Sequence, residues 1–389
     1  MMSRFFRTVF TGLAGLAMTV PAVAQTSMRP TDMSTDEAGM WYQVDKIEQQ
    51  IKTAGVRVTD PQLVQYVQDV TCKVTGPDCP QIRPYIINAG VFNASMYPNG
   101  MMLVNSGLLL RAENEAQLAC VIGHEYGHFK ELHSLERWRK AKSLANASIF
   151  LQLAAGAAGA GGEAGYGVQL MTILLQQSFS REHEREADKI GFETAAAAGY
   201  DVSECANVWT NIISEQESST FRKVRKRGKG INIFSSHPVP KERAETLAAM
   251  ADATPGGTDI GKLEHAEATD KYYAQWLETE LLAKDYDRHI HLYNQLKARG
   301  RASGPSDFYI GEAYRKRKAE GDRELAVAAW EAAAAGQGAP AQVWRSLGEH
   351  YRRTKQKPQA LDAYRKYLAA APAAPDRELI AAYIDRLTP

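Results

Sequence analysis

Net charge of either sign is missing from this chain. Its 46 Lys and Arg balance 45 Asp and Glu over 389 residues, which leaves a formal charge of +1. That balance removes any chain-wide case for nucleic acid or an anionic surface as partner, and no nucleic-acid partner is expected. Cysteine is scarce, at four residues: Cys72, Cys79, Cys120 and Cys205. The C-x6-C spacing of the first two is not that of a metal knuckle and no second close pair follows, which argues against a thiolate zinc site. Long apolar runs are also lacking. The two apolar halves of 144–179 are interrupted by Gln152 and Gln169, and neither reaches the roughly 20 residues of a membrane span. What remains is a globular composition, 44% hydrophobic, in a chain long enough for two or three domains.

Residues 1–24 read as a leader. Arg4 and Arg7 precede the apolar run 9–23, and Ala22-Val23-Ala24 is a small-x-small cleavage site before Gln25. The other reading is an uncleaved anchor. Export permits disulfides. Cys72 and Cys79 flank a short Gly-Pro loop and are expected to pair with each other. Cys120, set among apolar residues, reads as a buried core thiol.

The mature chain opens with a polar tail and a helix over 35–52, where Trp41, Val44 and Ile47 recur three apart. A second helix starts at Asp60-Pro61, the first as N-cap and the second at the first helical position. The period then changes. Residues 84–89, 94–97 and 101–104 read as strands of a small antiparallel sheet, with Pro98-Asn99-Gly100 as a turn. Such a sheet can accept an extended peptide at its edge, and Met102, Leu103 and Val104 are the candidate substrate-binding residues.

The chemistry is concentrated in His124-Glu125-Tyr126-Gly127-His128, an H-E-x-x-H motif inside good helix-forming sequence. Four residues turn a helix by about 400°, so both imidazoles face one way and can hold one zinc ion, with Glu125 placed to take a proton from water. A second cluster, Ser180-Arg181-Glu182-His183-Glu184-Arg185-Glu186-Ala187-Asp188, puts Glu184 and Asp188 on one helix face. One of these carboxylates can be a third ligand and the other can orient a ligating histidine. Glu182 and Glu186 lie off that face and read as solvent-facing. Residues 222–229 form a basic run, a solvated loop or a contact for anionic lipid. His237 stands in a Pro-rigidified turn, ahead of Arg243.

Beyond Thr254-Pro255-Gly256-Gly257-Thr258 the sequence becomes helical and repetitive. Trp344, Leu347, Gly348, Tyr351, Ala360, Tyr364 and Pro372 follow the 34-residue tetratricopeptide pattern. Gly311, Tyr314, Ala326, Trp330 and Ala333 repeat it, and a degenerate pair runs through Trp276, Leu281, Tyr286 and Leu292. Residues 376–387 read as a closing helix. Stacked helix pairs make a concave surface suited to binding peptide or protein.

Together His124, Glu125, His128, Glu184, Asp188, His237-Pro238 and Arg243 resemble the zinc metallopeptidases that include the CAAX prenyl endopeptidases and the heat-shock protease HtpX. With the leader and the repeats, the whole resembles the periplasmic beta-barrel assembly-enhancing proteases. The resemblance implies one Zn2+ per chain held by His124, His128 and Glu184, with Glu125 as catalytic base and Asp188 orienting His124 or His128. It implies His237 near the metal, as a transition-state donor or as a reversible fourth ligand; His237 or Arg243 could stabilise the oxyanion. The expected fold is mainly α (α+β): a gluzincin-like metalloprotease domain with a small antiparallel sheet (25–252), a linker (253–269) and an α-solenoid of tetratricopeptide-like repeats (270–389). The expected partners are polypeptide substrates, outer-membrane assembly machinery at the repeats, and a peripheral membrane contact through 144–179. The competing class is a chaperone or scaffold whose zinc site is structural or latched.

Overall fold

The structure is a computed structural model that describes residues 36–140, 179–221, 237, 241–254 and 257–388. The expected leader, nearly all of 144–179, the basic run and the turn around His237 lie outside the described residues.

Helix α1 (Asp36–Thr53) leads to a two-residue strand β1 (Arg57–Val58) and helix α2 (Pro61–Thr75). Asp60 caps α2 as expected: its carboxylate accepts from the amides of Gln62 and Leu63, both at 3.0 Å. Strands β2 (Arg83–Ile87), β3 (Ala94–Met96) and β4 (Met101–Asn105) complete a sheet of order β1-β2-β4-β3. The Pro98-Asn99-Gly100 turn joins β3 to β4; Gly100 takes φ +83°, and Asn99 Oδ1 accepts from the amide of Met101 at 3.0 Å.

The sheet is mixed, not wholly antiparallel. β3 runs antiparallel to β4, while β2 lies on the other flank of β4 and parallel to it, Arg83 opposite Met101 and Ile87 opposite Asn105. Strand direction was set by the connection 88–93, which carries the chain past β4's position before β3 begins; apolar alternation carries no information about that. Alternation does set the two faces. Tyr85 and Met101 pack with Met40, Trp41 and Val44 of α1, while Ile86, Met102 and Val104 face the main core. A bidentate ion pair ties α1 to the sheet, with Arg83 Nε and Nη2 at 2.7 and 2.8 Å from the carboxylate of Glu48.

After helix α3 (Ser106–Arg111), helix α4 (Glu115–Lys130) carries the motif through the centre of the core. Helices α5 (Arg181–Ala197) and α6 (Ser203–Glu217) pack against it, and α7 (Lys241–Ala253) packs on those two. Then come α8 (Lys262–Thr269), α9 (Tyr273–Leu281) and α10 (Tyr286–Ala298). They are followed by the pairs α11 (Ser303–Arg317) with α12 (Asp322–Ala335) and α13 (Gln342–Arg353) with α14 (Lys357–Ala370), closed by α15 (Arg377–Leu387). The two pairs share a construction. A Cβ on Gly311 would come 2.5 Å from the Trp330 ring, and one on Gly348 2.6 Å from the Tyr364 ring, so glycine lets an aromatic of the second helix sit against the backbone of the first.

The expected linker 253–269 contains α8, in which His265 and Thr269 are buried. His265 Nε2 lies 3.1 Å from the carbonyl of Leu109, and its Nδ1 lies 3.0 Å from Tyr66 Oη. One apolar cluster runs from Leu63 through Ile122 and Trp276 to Leu347, so the helix pairs are built onto the part that carries the H-E-x-x-H helix.

Candidate metal centre

Helix α4 starts at Asn114, whose Oδ1 accepts from the amide of Gln117 at 2.8 Å, and every residue from 115 to 129 is buried. Burying His124, Glu125 and His128 on a central helix is costly unless each polar atom is used. Helix α5 supplies the partners. It is capped by Ser180, and it approaches α4 very closely: a Cβ on Gly127 would fall 2.8 Å from the Ala187 Cα, and one on Gly191 would fall 2.6 Å from the His124 amide. Small residues at this crossing bring Glu184 and Asp188 against the motif. A disulfide between Cys120 and Cys205 fixes α4 to α6, so Cys120 is bonded and not the free thiol expected. Its partner was not legible in sequence because the crossing that joins them is tertiary. Cys72 and Cys79 pair as expected. Trp209 of α6, which the sequence did not single out, stands edge-on to His124 at 6.0 Å.

Four donors converge in this pocket: His124, His128, Glu184 and His237, all buried, with ligand atoms within 4.8 Å of one another. His124 Nε2 lies 3.2 Å from both His128 Nε2 and His237 Nδ1. The Glu184 carboxylate lies 3.6 Å from His124 Nε2, 3.6 Å from His128 Nε2 and 3.0 Å from His237 Nδ1. A tetrahedral zinc ion at about 2.0–2.1 Å from nitrogen and oxygen donors would separate them by about 3.3 Å, so this donor set fits zinc in both spacing and chemistry. Imidazole nitrogens facing one another at such distances lack a common partner that only a cation or a proton can supply.

Electrostatics agree. Burial holds the His128 imidazole far below its ordinary range, in the neutral form that ligates. Burial alone would raise the Glu184 carboxyl, but His237 foremost, and then His128, hold it well below the usual carboxylate range. Burial would lower His237, yet Glu125 and Glu184 raise it.

Asp188 orients His124: its Oδ1 lies 2.9 Å from Nδ1. Arg243 meets both carboxylates of α5 that face the motif. Its Nε and Nη2 grip Asp188 at 2.7 and 2.6 Å, and its Nη1 meets Glu184 at 2.5 Å. Its guanidinium also stacks over Trp209 at 4.9 Å. These contacts fit a positioning role for Arg243 beside the oxyanion role considered for it. His128 is backed by a residue that sequence reasoning missed. Its Nδ1 lies 2.9 Å from His133 Nδ1, and His133 Nε2 lies 3.2 Å from Glu186 Oε2. Glu186 is exposed as expected, yet it is engaged.

Glu125 lies beside the donors. One oxygen is 3.4 Å from His237 Nε2, and the other accepts the backbone amide of Met96 at 3.2 Å. The strand facing the site is therefore β3. Met102, Leu103 and Val104 sit on β4, paired on both sides, and Met102 and Val104 are fully buried, so their backbone is not available to a peptide. Among the described residues, the edge strand on that side of the sheet is β3, Ala94 to Met96, with Ala94 and Met96 buried.

Among known proteins, this chain is similar to a putative beta-barrel assembly-enhancing protease of Vibrio cholerae, 28% identical over 194 residues, which covers 48% of this chain and 38% of that protein. It is similar to the beta-barrel assembly-enhancing protease of Escherichia coli, 24% identical over 279 residues, 67% of this chain and 54% of that one. It is also similar to the mitochondrial metalloendopeptidase OMA1 of Saccharomyces cerevisiae, 26% identical over 183 residues, 46% of this chain and 49% of that one. The chain thus spans about half the length of these relatives or less. Residues 58–251, which hold all the donors and Glu125, match Peptidase family M48, and the chain belongs to that family.

Proposed function

We propose that this chain is an exported zinc endopeptidase of protein quality control, with His237 as a reversible fourth ligand that closes the site at rest. The observation that carries this reading is the buried four-donor cluster with Glu125 at its side and the edge strand β3 next to it. Zinc held by His124, His128 and Glu184 would acidify a water towards a pKa of about 7 and polarise a peptide carbonyl. Glu125 is within reach of that position, to take a proton and hand it to the leaving amine. The β3 edge offers its backbone to an extended peptide. Asn93 carbonyl and Tyr97 amide are turned to β4, so by alternation the groups of Ala94 and Met96 point the other way; the Met96 amide is held by Glu125, and the Ala94 amide and the two carbonyls are the groups a substrate strand would meet.

His237 turns Nδ1 to the donor set and Nε2 to Glu125. In that pose it occupies the position a water or substrate needs and engages the base as well. Casein cleavage by the zinc-loaded chain, wild type against His237→Ala, tests the latch: cleavage rises several-fold if His237 blocks the site. A fall would assign it as a transition-state donor. The latched pose also favours a second reading, a chaperone that holds clients with its site shut; zinc bound without cleavage by either protein would support it.

Two disulfides fit an oxidising compartment, and with the leader they favour the periplasm. The names of the relatives suggest outer-membrane β-barrel proteins as substrates and their assembly machinery as partner. The C-terminal helices support a docking role through a cavity of about 1050 Å³ lined by Trp330, Tyr364, Ile380 and Tyr383 with Arg315 and Arg345. No helix among the described residues is long and apolar enough to cross a membrane.

A further inference from the structure

We propose that His133 and Glu186 form a relay that fixes the ring and tautomer of His128, and so tune how tightly the site holds its metal. The inference rests on the reading of His124, His128 and Glu184 as zinc ligands, and it adds two positioning residues to them.

The hydrogen-bond order is determined by role. For His128 to ligate through Nε2, its Nδ1 carries the proton and must donate it. The group facing that nitrogen is His133 Nδ1, at 2.9 Å. It can accept only if His133 keeps its own proton on Nε2. That nitrogen lies 3.2 Å from Glu186 Oε2, a carboxylate that accepts it. The chain runs His128 Nδ1–H to His133 Nδ1, then His133 Nε2–H to Glu186, and each donor meets one acceptor. The alternative tautomer of His133 would set two N–H groups against each other.

The rings are clamped so that this order persists. Phe179 stacks on His128 with centroids 3.8 Å apart, and His183 stacks on His133 at 4.1 Å. His183 is itself held by Glu136, its Nε2 2.9 Å from Oε2. The backbone contributes as well. Leu132 adopts φ +56°, a left-handed conformation that a branched aliphatic residue takes up only under constraint. It ends the run of α4 and swings His133 back beneath His128. On a continuous helix, five residues would set the two histidines about 140° apart.

The two zinc histidines are therefore backed differently. His124 leans on Asp188, which is buried and gripped by Arg243. His128 leans on an imidazole whose own support, Glu186, is 52% exposed. The His128 arm is the one that solvent and neighbouring charge can loosen.

The test is zinc affinity by chelator competition on the full chain, together with the visible absorption of its cobalt-loaded form. His133→Phe keeps the stack on His183 but removes the acceptor, and weakens zinc binding by about 10–100-fold, the usual cost of losing such a support. His133→Gln, which restores an acceptor, recovers most of that loss. Glu186→Ala gives a smaller loss, and adding it to His133→Phe costs nothing further, because the two act in series. The cobalt bands shift in His133→Phe and return in His133→Gln. Equal zinc affinity in His133→Phe and wild type, with unchanged bands, overturns the relay, and so does a Gln variant as weak as Phe, which would reduce His133 to packing. A wild-type chain that binds no zinc would overturn the ligand assignment itself, and the relay with it.

Discussion

Two buried clusters of charge lie about α6, and they are built on opposite plans. At its middle, Trp209 stands against His124 of the centre made by His124, His128, Glu184 and His237. At its end, Glu215 enters a network with Arg111, Glu280 and Arg288 at the seam with the C-terminal helices. In that seam, Arg111 meets both oxygens of Glu215 at 2.7 and 2.8 Å and both oxygens of Glu280 at 2.7 and 2.8 Å. Glu215 and Glu280 each face a guanidinium, and their oxygens are spent on Arg111. In the other cluster, imidazole nitrogens face one another. Opposite charges in fixed forks hold parts of a protein together; like donors aimed at one point wait for a metal. Counting buried charges would not separate the two, but asking what each donor points at does.

This contrast predicts different failures. Glu125→Gln should lower peptide cleavage by about 10²–10⁴-fold, as loss of a general base does, with zinc content and unfolding midpoint unchanged. Arg111→Ala should do the reverse. Removing one partner from a buried, paired network costs about 3–5 kcal/mol, read by urea denaturation, while the fraction that remains folded still binds zinc. If Arg111→Ala lost zinc first and stability little, the division of labour drawn here would fail.

The smallest effect is on acid stability. Burial first, and then the charge of Arg301, push His265 down to about 4. Burial and Arg288 push His289 down to about 3. Both belong to the seam rather than the metal centre. An unfolded histidine titrates near 6.5, so below that pH the unfolded chain takes up protons that the folded chain refuses. Stability contributed by keeping these two neutral is therefore complete above about pH 6.5. It is lost progressively as pH falls through about 4 for His265 and about 3 for His289. Urea midpoints at pH 7 and pH 5 should differ in the wild type and differ less in the His265→Asn, His289→Asn double variant. An unchanged difference would remove the seam as the acid-sensitive element.

Local chemistry was legible in the sequence, and crossings were not. The H-E-x-x-H spacing and the i, i+4 pair of Glu184 and Asp188 need only a helix to have meaning, and both stand where the spacing put them. The Asp60 cap and the Pro98-Asn99-Gly100 turn are equally local. Strand direction, the bond from Cys120 to Cys205 and the seat of Arg243 depend on how distant segments meet, and no period encodes that. His133 is the instructive case. Its spacing from His128 points it away on a continuous helix, and only the left-handed Leu132 returns it. The one available signal was a third histidine shortly after the motif, which helical periodicity argues against. The repeats were readable from their Gly and aromatic positions, but the core they share with the metal-binding part was not.

The central claim is that three imidazoles and one carboxylate on three separate stretches of chain form a single zinc site. Metal analysis of the full chain purified without chelator tests it most directly, beside His128→Ala and Glu184→Gln. The account predicts about one zinc per wild-type chain, as a single closed set of donors requires, and strong loss in both variants. A wild-type chain without zinc, or variants that keep it in full, would contradict it.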